Sequence, residues 1–161
     1  MLSWGAALIL SEGAKVTMEI VINEHTSKGY IKLDFDTSGL LGMYDLLLSA
    51  TINYMGYSGE DRGWFVMTDE LTIFTTQLRT LEEQRKGKVI LASIGINRPG
   101  EFRLEMWALD RLGHIAARAI MRRTNDEKER LLPTELSVAF TIDTEKFGEL
   151  VSDFEALLKQ L

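Results

Sequence analysis

The sequence has no cysteine, and only two prolines and two histidines among its 161 residues. Without cysteine the chain can form no disulfide and has no thiolate nucleophile, iron–sulfur cluster or Cys-ligated zinc. The histidines, His25 and His114, are far apart and form no His-x-x-x-His motif, so nothing indicates a transition-metal site. We therefore expect no metal and no other cofactor. The absence of cysteine is compatible with a cytoplasmic location.

Motifs of catalysis and phosphate binding are missing as well. No Gly-x-Ser-x-Gly elbow occurs, and the glycines match neither a P-loop nor a dinucleotide-binding fingerprint. His114 has Asp110 nearby, but a histidine that bonds the backbone of a turn accounts for this pair. His25 lies in the polar segment 23–28, which we interpret as a turn. The sequence thus predicts no catalytic residue and favours a non-catalytic protein, with a hydrolytic or small-molecule-binding enzyme as the alternative.

Positive charge is scarce, because 18 Lys and Arg are outnumbered by 24 Asp and Glu and the net charge is −6. A nucleic-acid-binding domain normally shows a basic stripe. The densest basic run here, residues 118–123, is followed at once by acidic residues. We expect no nucleic-acid partner, and the charge favours a neutral or basic one.

The apolar N-terminal segment is shorter than the ~20 residues that cross a bilayer. It also lacks a basic residue before Lys15, whereas a secretory signal has one. We expect no membrane association and predict that residues 1–14 form a first strand or a loosely packed arm, with a signal peptide as the lesser alternative.

The composition is that of a globular protein, 45% hydrophobic and 26% charged, and no linker divides it. We expect one domain over residues 1–161. Alternation of apolar and polar residues and short apolar runs predict strands at 16–22, 30–35, 46–54, 64–67, 89–93 and 136–142. Between them, the glycine-bracketed segment 57–62 is predicted to be a polar loop. The charged segment 123–135 is predicted to be an exposed loop.

Two segments have helical periodicity. In the first, Thr68 or Asp69 can cap a helix whose apolar residues recur at positions 71, 74, 78 and 81, and Gly87 is expected to end it. The second follows Asp143 and has an apolar stripe that includes Leu150 and Phe154. The element order, strands, helix, strands, helix, predicts an α+β protein, an antiparallel sheet with two amphipathic helices packed on it.

The clearest tertiary prediction is a hairpin with arms at residues 101–109 and 114–122. If Leu109 faces His114, Glu105 lies opposite Arg118 and, four residues away, a second Glu–Arg pair forms between residues 101 and 122. Trp107 then shares this charged face, while apolar pairs occupy the other face, as cross-strand packing prefers. Exposed charge pairs of this kind contribute at most about 1 kcal/mol.

Two features indicate a surface for a partner. Glu145, Glu149 and Asp153 recur every four residues on the outer face of the second helix, where like charges repel by a few tenths of a kcal/mol per pair. They form either an acidic strip for a basic protein partner or a solvated face.

The second feature is aromatic. Tyr57 and Trp64 flank the predicted glycine-rich loop, and Trp107 lies on the hairpin's charged face. Exposed aromatic residues are typical anchors of protein interfaces. For Trp107, packing under another strand or the N-terminal arm is an equal alternative.

Three stretches carry a family resemblance: residues 45–51 leading to Arg62-Gly63-Trp64-Phe65, the helix 71–81, and residues 110–115. Together they resemble small bacterial α+β proteins of the WapI type, grouped with immunity proteins of polymorphic toxin systems, over about residues 45–160. The resemblance implies a protein that binds and neutralises a toxin, a basic toxin domain being the partner the charge favours, without catalysis or cofactor. A structural subunit of a homo-oligomer is a further alternative.

Overall fold

The computed structural model of the protein describes residues 17–37, 46–95, 100–127 and 130–161, without the side chains of 125–127 and 130–133. These ranges contain eight strands: β1 Thr17–Asn23, β2 Gly29–Asp36, β3 Leu46–Tyr54, β4 Tyr57–Val66, β5 Lys88–Gly95, β6 Gly100–Ala108, β7 Ile115–Glu127 and β8 Arg130–Thr141. They also contain helices α1, Thr68–Gln84, and α2, Phe147–Lys159, the latter preceded by the 3-10 turn Thr144–Lys146. The predicted arm at 1–14 lies outside the described residues.

The strands form one antiparallel sheet in chain order, β1 to β8, which confirms the predicted α+β class and element order. Alternate residues of the strands are buried and form one core with the two helices. The predicted stripe of α1, residues 71, 74, 78 and 81, is buried in this core. Phe154 of α2 is fully buried, with its ring centroid 6.3 Å from that of Phe35 and 5.2 Å from that of Phe74. The helices therefore hold the sheet's apolar face away from water.

The sheet consists of two half-sheets that fold toward each other. Strands β4 and β5 pair only through Trp64–Gly95 and Phe65–Ile94, so β1–β4 and β5–β8 are weakly joined there. A Cβ atom on Gly59 of β4 would lie 2.5 Å from Cδ2 of Leu136 in β8, so a side chain at this position would require the Leu136 side chain to move. At the far margin Glu24, just after β1, bridges to Ile142, just after β8. The first and last strands thus meet at one end of the molecule.

The predicted hairpin is confirmed in register. Leu109 N donates to His114 O at 2.7 Å, Glu105 pairs with Arg118, and residues 101 and 122 pair as expected. The expectation that the charge pairs are exposed is wrong for Glu105. Its side chain is only 5% accessible because neighbouring long side chains cover it on the sheet's outer face.

Both predicted loops are strands instead. The segment 57–62 belongs to β4, which follows a two-residue turn at Met55 and Gly56 with φ of 51° and 82°. The segment 123–135 continues β7 and begins β8, which pair as far as Glu127 and Arg130. A strand with polar residues on both faces shows no alternation of apolar and polar residues. The polar and charged composition of the two segments was then the only signal, and it indicated loops.

The helix termini also differ from expectation. The N-cap of α1 is Met67, with no side-chain cap, and the C-cap is Arg85 rather than Gly87. Arg85 adopts a left-handed conformation, φ 54° and ψ 40°, which is costly for a residue with a Cβ. Its Nε donates to Glu82 O at 2.8 Å and a terminal nitrogen to Gly113 O at 3.1 Å, which offsets this cost. No helix in the described ranges is long and apolar enough to cross a membrane.

Candidate functional site

A cleft of about 470 Å³ opens where the first and last strands meet, between β1, the β1–β2 turn and the start of α2. Four buried apolar residues contribute to its lining: Ile22, Ile142, Phe147 and Leu150. Its charged lining includes Glu19, His25, Lys146, Glu149 and Asp153. The cleft is therefore apolar in part and acidic at its exposed side chains.

Glu24 shapes the turn at one wall of this cleft. Its side chain is 4% accessible, and Oε2 accepts from the backbone N–H groups of Thr26 and Lys28 at 3.0 Å each and from the Thr26 hydroxyl at 2.5 Å. Burial raises the pKa of the Glu24 carboxyl, but these hydrogen bonds and His25 lower it further, so the net pKa lies below its usual value. Glu24 is therefore a fixed anion that holds the turn against Ile142.

His25 is oriented by the same carboxylate. Its Nδ1 lies 2.7 Å from Oε1 of Glu24, and about half of its side chain is exposed in the cleft wall. A carboxylate at Nδ1 fixes the tautomer and leaves Nε2 as the basic nitrogen, an arrangement that suits a general base. Ser27 also lines the cleft, but among the described residues no hydrogen bond joins its hydroxyl to His25.

The acidic strip predicted from the sequence is partly assembled here. Glu149 and Asp153 both line the cleft, one helical turn apart on α2. Glu145 lies in the preceding 3-10 turn and outside the cleft lining, because the helix begins only at Phe147. Burial, and then the negative charge of Glu149, raise the pKa of Asp153 above its usual value. Negative charge on Asp153 is therefore less favourable here than on an isolated aspartate.

The aromatic residues singled out in the sequence do not join this cleft. Tyr57 is two-thirds exposed at the start of β4. Trp64 is fully buried beneath the guanidinium of Arg123, whose Cζ lies 3.6 Å from the ring centroid. Trp64 is therefore a core residue, and the prediction that it is an exposed interface anchor is wrong. Trp107 is half-buried on the outer sheet face, where it lies over the charged hairpin pairs.

His114 closes a turn, as its position in the sequence suggested. Its Nδ1 lies 2.6 Å from Oδ2 of Asp110, while Oδ1 of Asp110 accepts from the backbone N–H of Leu112 at 2.9 Å. The hydrogen bond with His114 is the main reason why the pKa of Asp110 lies below its usual value. This pair is exposed and lies outside the acidic cleft.

Among the described residues no group of three or more His, Asp or Glu side chains is placed to hold a metal ion. The chain matches no family model, no curated protein and no solved structure. The resemblance to toxin-immunity proteins therefore stays a prediction. Sequence reasoning missed Glu24 and His25, because their turn gave no sign of which distant segment it would meet.

Proposed function

We propose that the chain is a non-catalytic protein-binding domain whose acidic cleft takes a cationic side chain of a basic partner. The supporting observation is that five carboxylates and one lysine line the cleft, so that like charges repel each other there. A bound cation would relieve this repulsion. Binding energy would then come from charges that are unfavourable in the free protein.

The cleft also suits the shape of a long basic side chain. Lysine and arginine bury an apolar stem and keep the charged end polar. Buried Ile22 and Leu150 supply an apolar wall, while Glu19 and Asp153 supply acceptors at the rim. The net charge of −6 would attract such a partner from a distance.

Two short peptides test the cleft directly. Backbone amide NMR shifts are followed while acetyl-Gly-Arg-Gly-amide or its citrulline analogue, which lacks the charge, is titrated at constant ionic strength. We expect saturable shifts at His25, Glu149 and Asp153 with the arginine peptide alone. The variant Glu149→Gln/Asp153→Asn should weaken binding about tenfold, since each lost charge pair is worth roughly 0.7 kcal/mol at an exposed site.

The matched control is Glu70→Gln/Glu83→Gln, which removes the same charge from exposed positions of α1. It should bind the peptide as the wild type does. Equal binding of both peptides, or equal weakening by both double variants, would reject a cation-specific cleft.

The finer proposal, that the partner is a toxin domain, rests on the resemblance of residues 45–160. Its test is the product of the adjacent gene, expressed with and without this chain. Wild-type chain should restore growth, and Glu149→Gln/Asp153→Asn should restore it less than the α1 control variant. If the wild-type chain fails to restore growth but still binds the arginine peptide, the toxin proposal is rejected and the proposal of a cation-binding cleft is retained.

A second candidate function, hydrolysis, is favoured by the Glu24–His25 pair at 2.7 Å in the cleft wall. Chromogenic ester, glycoside and phosphomonoester substrates would be compared for wild type, His25→Gln and His114→Gln. Loss of turnover in His25→Gln alone would support an enzyme. Equal rates in all three proteins would leave the binding proposal as it stands.

A further inference from the structure

Three cations converge on one buried carboxylate on the outer face of β5, β6 and β7. Lys88 Nζ lies 3.2 Å and Arg118 NH1 3.6 Å from Oε2 of Glu105, and Arg103 NH1 lies 3.6 Å from Oε1. The strand register places them side by side, because Glu105 pairs with Arg118 and Trp107 pairs with Lys88. We name Lys88, Arg103, Arg118, Glu105 and Trp107 the cationic site.

The cationic site carries more positive charge than it neutralises. Three cations accompany one carboxylate in a chain whose net charge is −6, leaving an excess of two positive charges. Concentrating like charges is unfavourable unless something further offsets them. The three cations remain partly exposed, whereas Glu105 is covered. Their free N–H groups are therefore available to an external anion.

The hydrogen bonds of the cationic site are also incomplete. Nε of Arg103, a hydrogen-bond donor, is buried without a hydrogen-bond partner, although it belongs to a charged group. Buried polar atoms of this kind are normally satisfied. The site also has a surface depression of about 430 Å³, lined by Lys88, Glu105, Trp107 and Arg118 among others. Lys88 Nζ and Arg118 Cζ each lie 5.7 Å from the Trp107 ring centroid, so the indole forms part of the same depression.

From these observations we propose that the cationic site binds a dianionic phosphoryl group, either free phosphate or a phosphate monoester. A dianion matches the excess of two positive charges, and Arg and Lys are the side chains that bind phosphate. Glu105 holds the cations together, and the anion would bind to the N–H groups that point away from this carboxylate. This site shares no lining residue with the acidic cleft, so it stands or fails independently of the proposed function.

Inorganic phosphate and phenyl phosphate are the probes, with sodium chloride at matched ionic strength as the reference. The indole N–H signal of Trp107, assigned with Trp107→Phe, should shift saturably with phosphate. Lys88→Gln and Arg118→Gln should each raise Kd about tenfold, as loss of one charge-assisted bond implies. The matched control Lys159→Gln, at the exposed end of α2, should bind as wild type. Tighter binding of phenyl phosphate assigns the site to monoesters, and equal or weaker binding assigns it to free phosphate.

Glu105→Gln separates a ligand site from a structural cluster. Removing the only negative charge of the site should tighten phosphate binding several-fold while lowering the melting temperature in chloride. Phosphate should then restore the melting temperature more in this variant than in the wild type. The proposal is overturned if phosphate acts no differently from chloride, if Lys88→Gln and Arg118→Gln bind as wild type, or if only a glutamate-rich peptide saturates the site.

Discussion

Arg123 is almost fully buried, which is rare for arginine. Its Nε donates to Oδ2 of Asp61 at 2.7 Å, a terminal nitrogen donates to Arg62 O at 2.6 Å, and the guanidinium lies over Trp64. A buried charge is tolerated only when it is paired and hydrogen-bonded. These contacts join β7 of one half-sheet to β4 of the other, where pairing between the halves is sparse.

Asp61→Asn should therefore destabilise the protein by roughly 3 kcal/mol, because it removes the Asp61 carboxylate from the buried charge of Arg123. Urea unfolding gives the measurement, with the exposed neighbour Glu60→Gln as a control that changes little. The double variant Asp61→Leu/Arg123→Met should recover most of the loss, since an apolar pair needs no desolvation of charge. Unchanged unfolding of Asp61→Asn would show that the ion pair does not support the fold.

Asp153 affects stability in the opposite sense to a paired carboxylate. Its pKa is raised by burial and by Glu149, so the folded protein holds this proton more tightly than the unfolded chain. Stability then falls as pH rises from the unfolded pKa through the folded pKa, and stays lower above it. Asp153→Asn should stabilise the protein by a few tenths of a kcal/mol at pH 7, the size of one like-charge pair in a helix. The gain should vanish at a pH below both pKa values, and a variant no more stable at pH 7 would contradict this account.

At the scale of elements, α2 is attached to the sheet mainly through its apolar stripe. Phe154 packs between Phe35 of β2 and Phe74 of α1 and is inaccessible to solvent. Phe154→Ala should cost roughly 3–5 kcal/mol of unfolding free energy, through lost transfer energy and a cavity. The exposed change Glu145→Ala, in the turn before α2, should cost far less. Similar values for the two variants would mean that α2 contributes little to the core.

An element could be predicted from the sequence where two independent patterns, such as apolar periodicity and charge pairing, indicated the same arrangement. The hairpin register followed because apolar alternation and charge complementarity both required Glu105 opposite Arg118. The first half of β4 and the β7–β8 extension were not predictable, because strands with polar residues on both sides carry no apolar period. Arg85 as helix C-cap was also hidden, since its left-handed conformation is supported by Gly113, a residue 28 positions away.

The residues of the candidate site also fall into those that a local sequence pattern predicts and those that it does not. The four-residue spacing of Glu149 and Asp153 is a local pattern, and the structure places both in the cleft. Glu24 and His25 belong to the cleft only because the sheet curves until the end of β1 meets the end of β8. The burial of Glu105 likewise depends on three strands at once. The local sequence shows which charged side chains are present. It does not show which of them the fold brings into contact.

At the scale of the molecule, the two charged sites of the described residues lie apart. The acidic cleft lies at the meeting of β1 and α2, while the cationic site lies on the outer face of β5–β7. If the net charge of −6 were spread evenly over the surface, it would attract a cation weakly and would not orient it toward any one site. If the protein has the basic partner proposed above, this separation would draw the partner to the cleft side and turn it away from the cationic site.

The last prediction concerns the rate at which a basic partner associates. Replacing Glu145, Glu149 and Asp153 by their amides should slow association several-fold at low salt, because steering depends on the local field. A control with Glu60, Glu70 and Glu83 replaced by glutamine makes the same change in net charge away from the cleft and should slow it less.

Stopped-flow mixing with the partner supplied by the adjacent gene measures both rates. The difference between the two variants should shrink as salt is raised, since screening acts over about 10 Å at 0.1 M ionic strength. If both triple variants slow association equally, net charge alone governs the encounter. If neither does, the predicted acidic strip has no role in steering and Glu145 is only part of a solvated face.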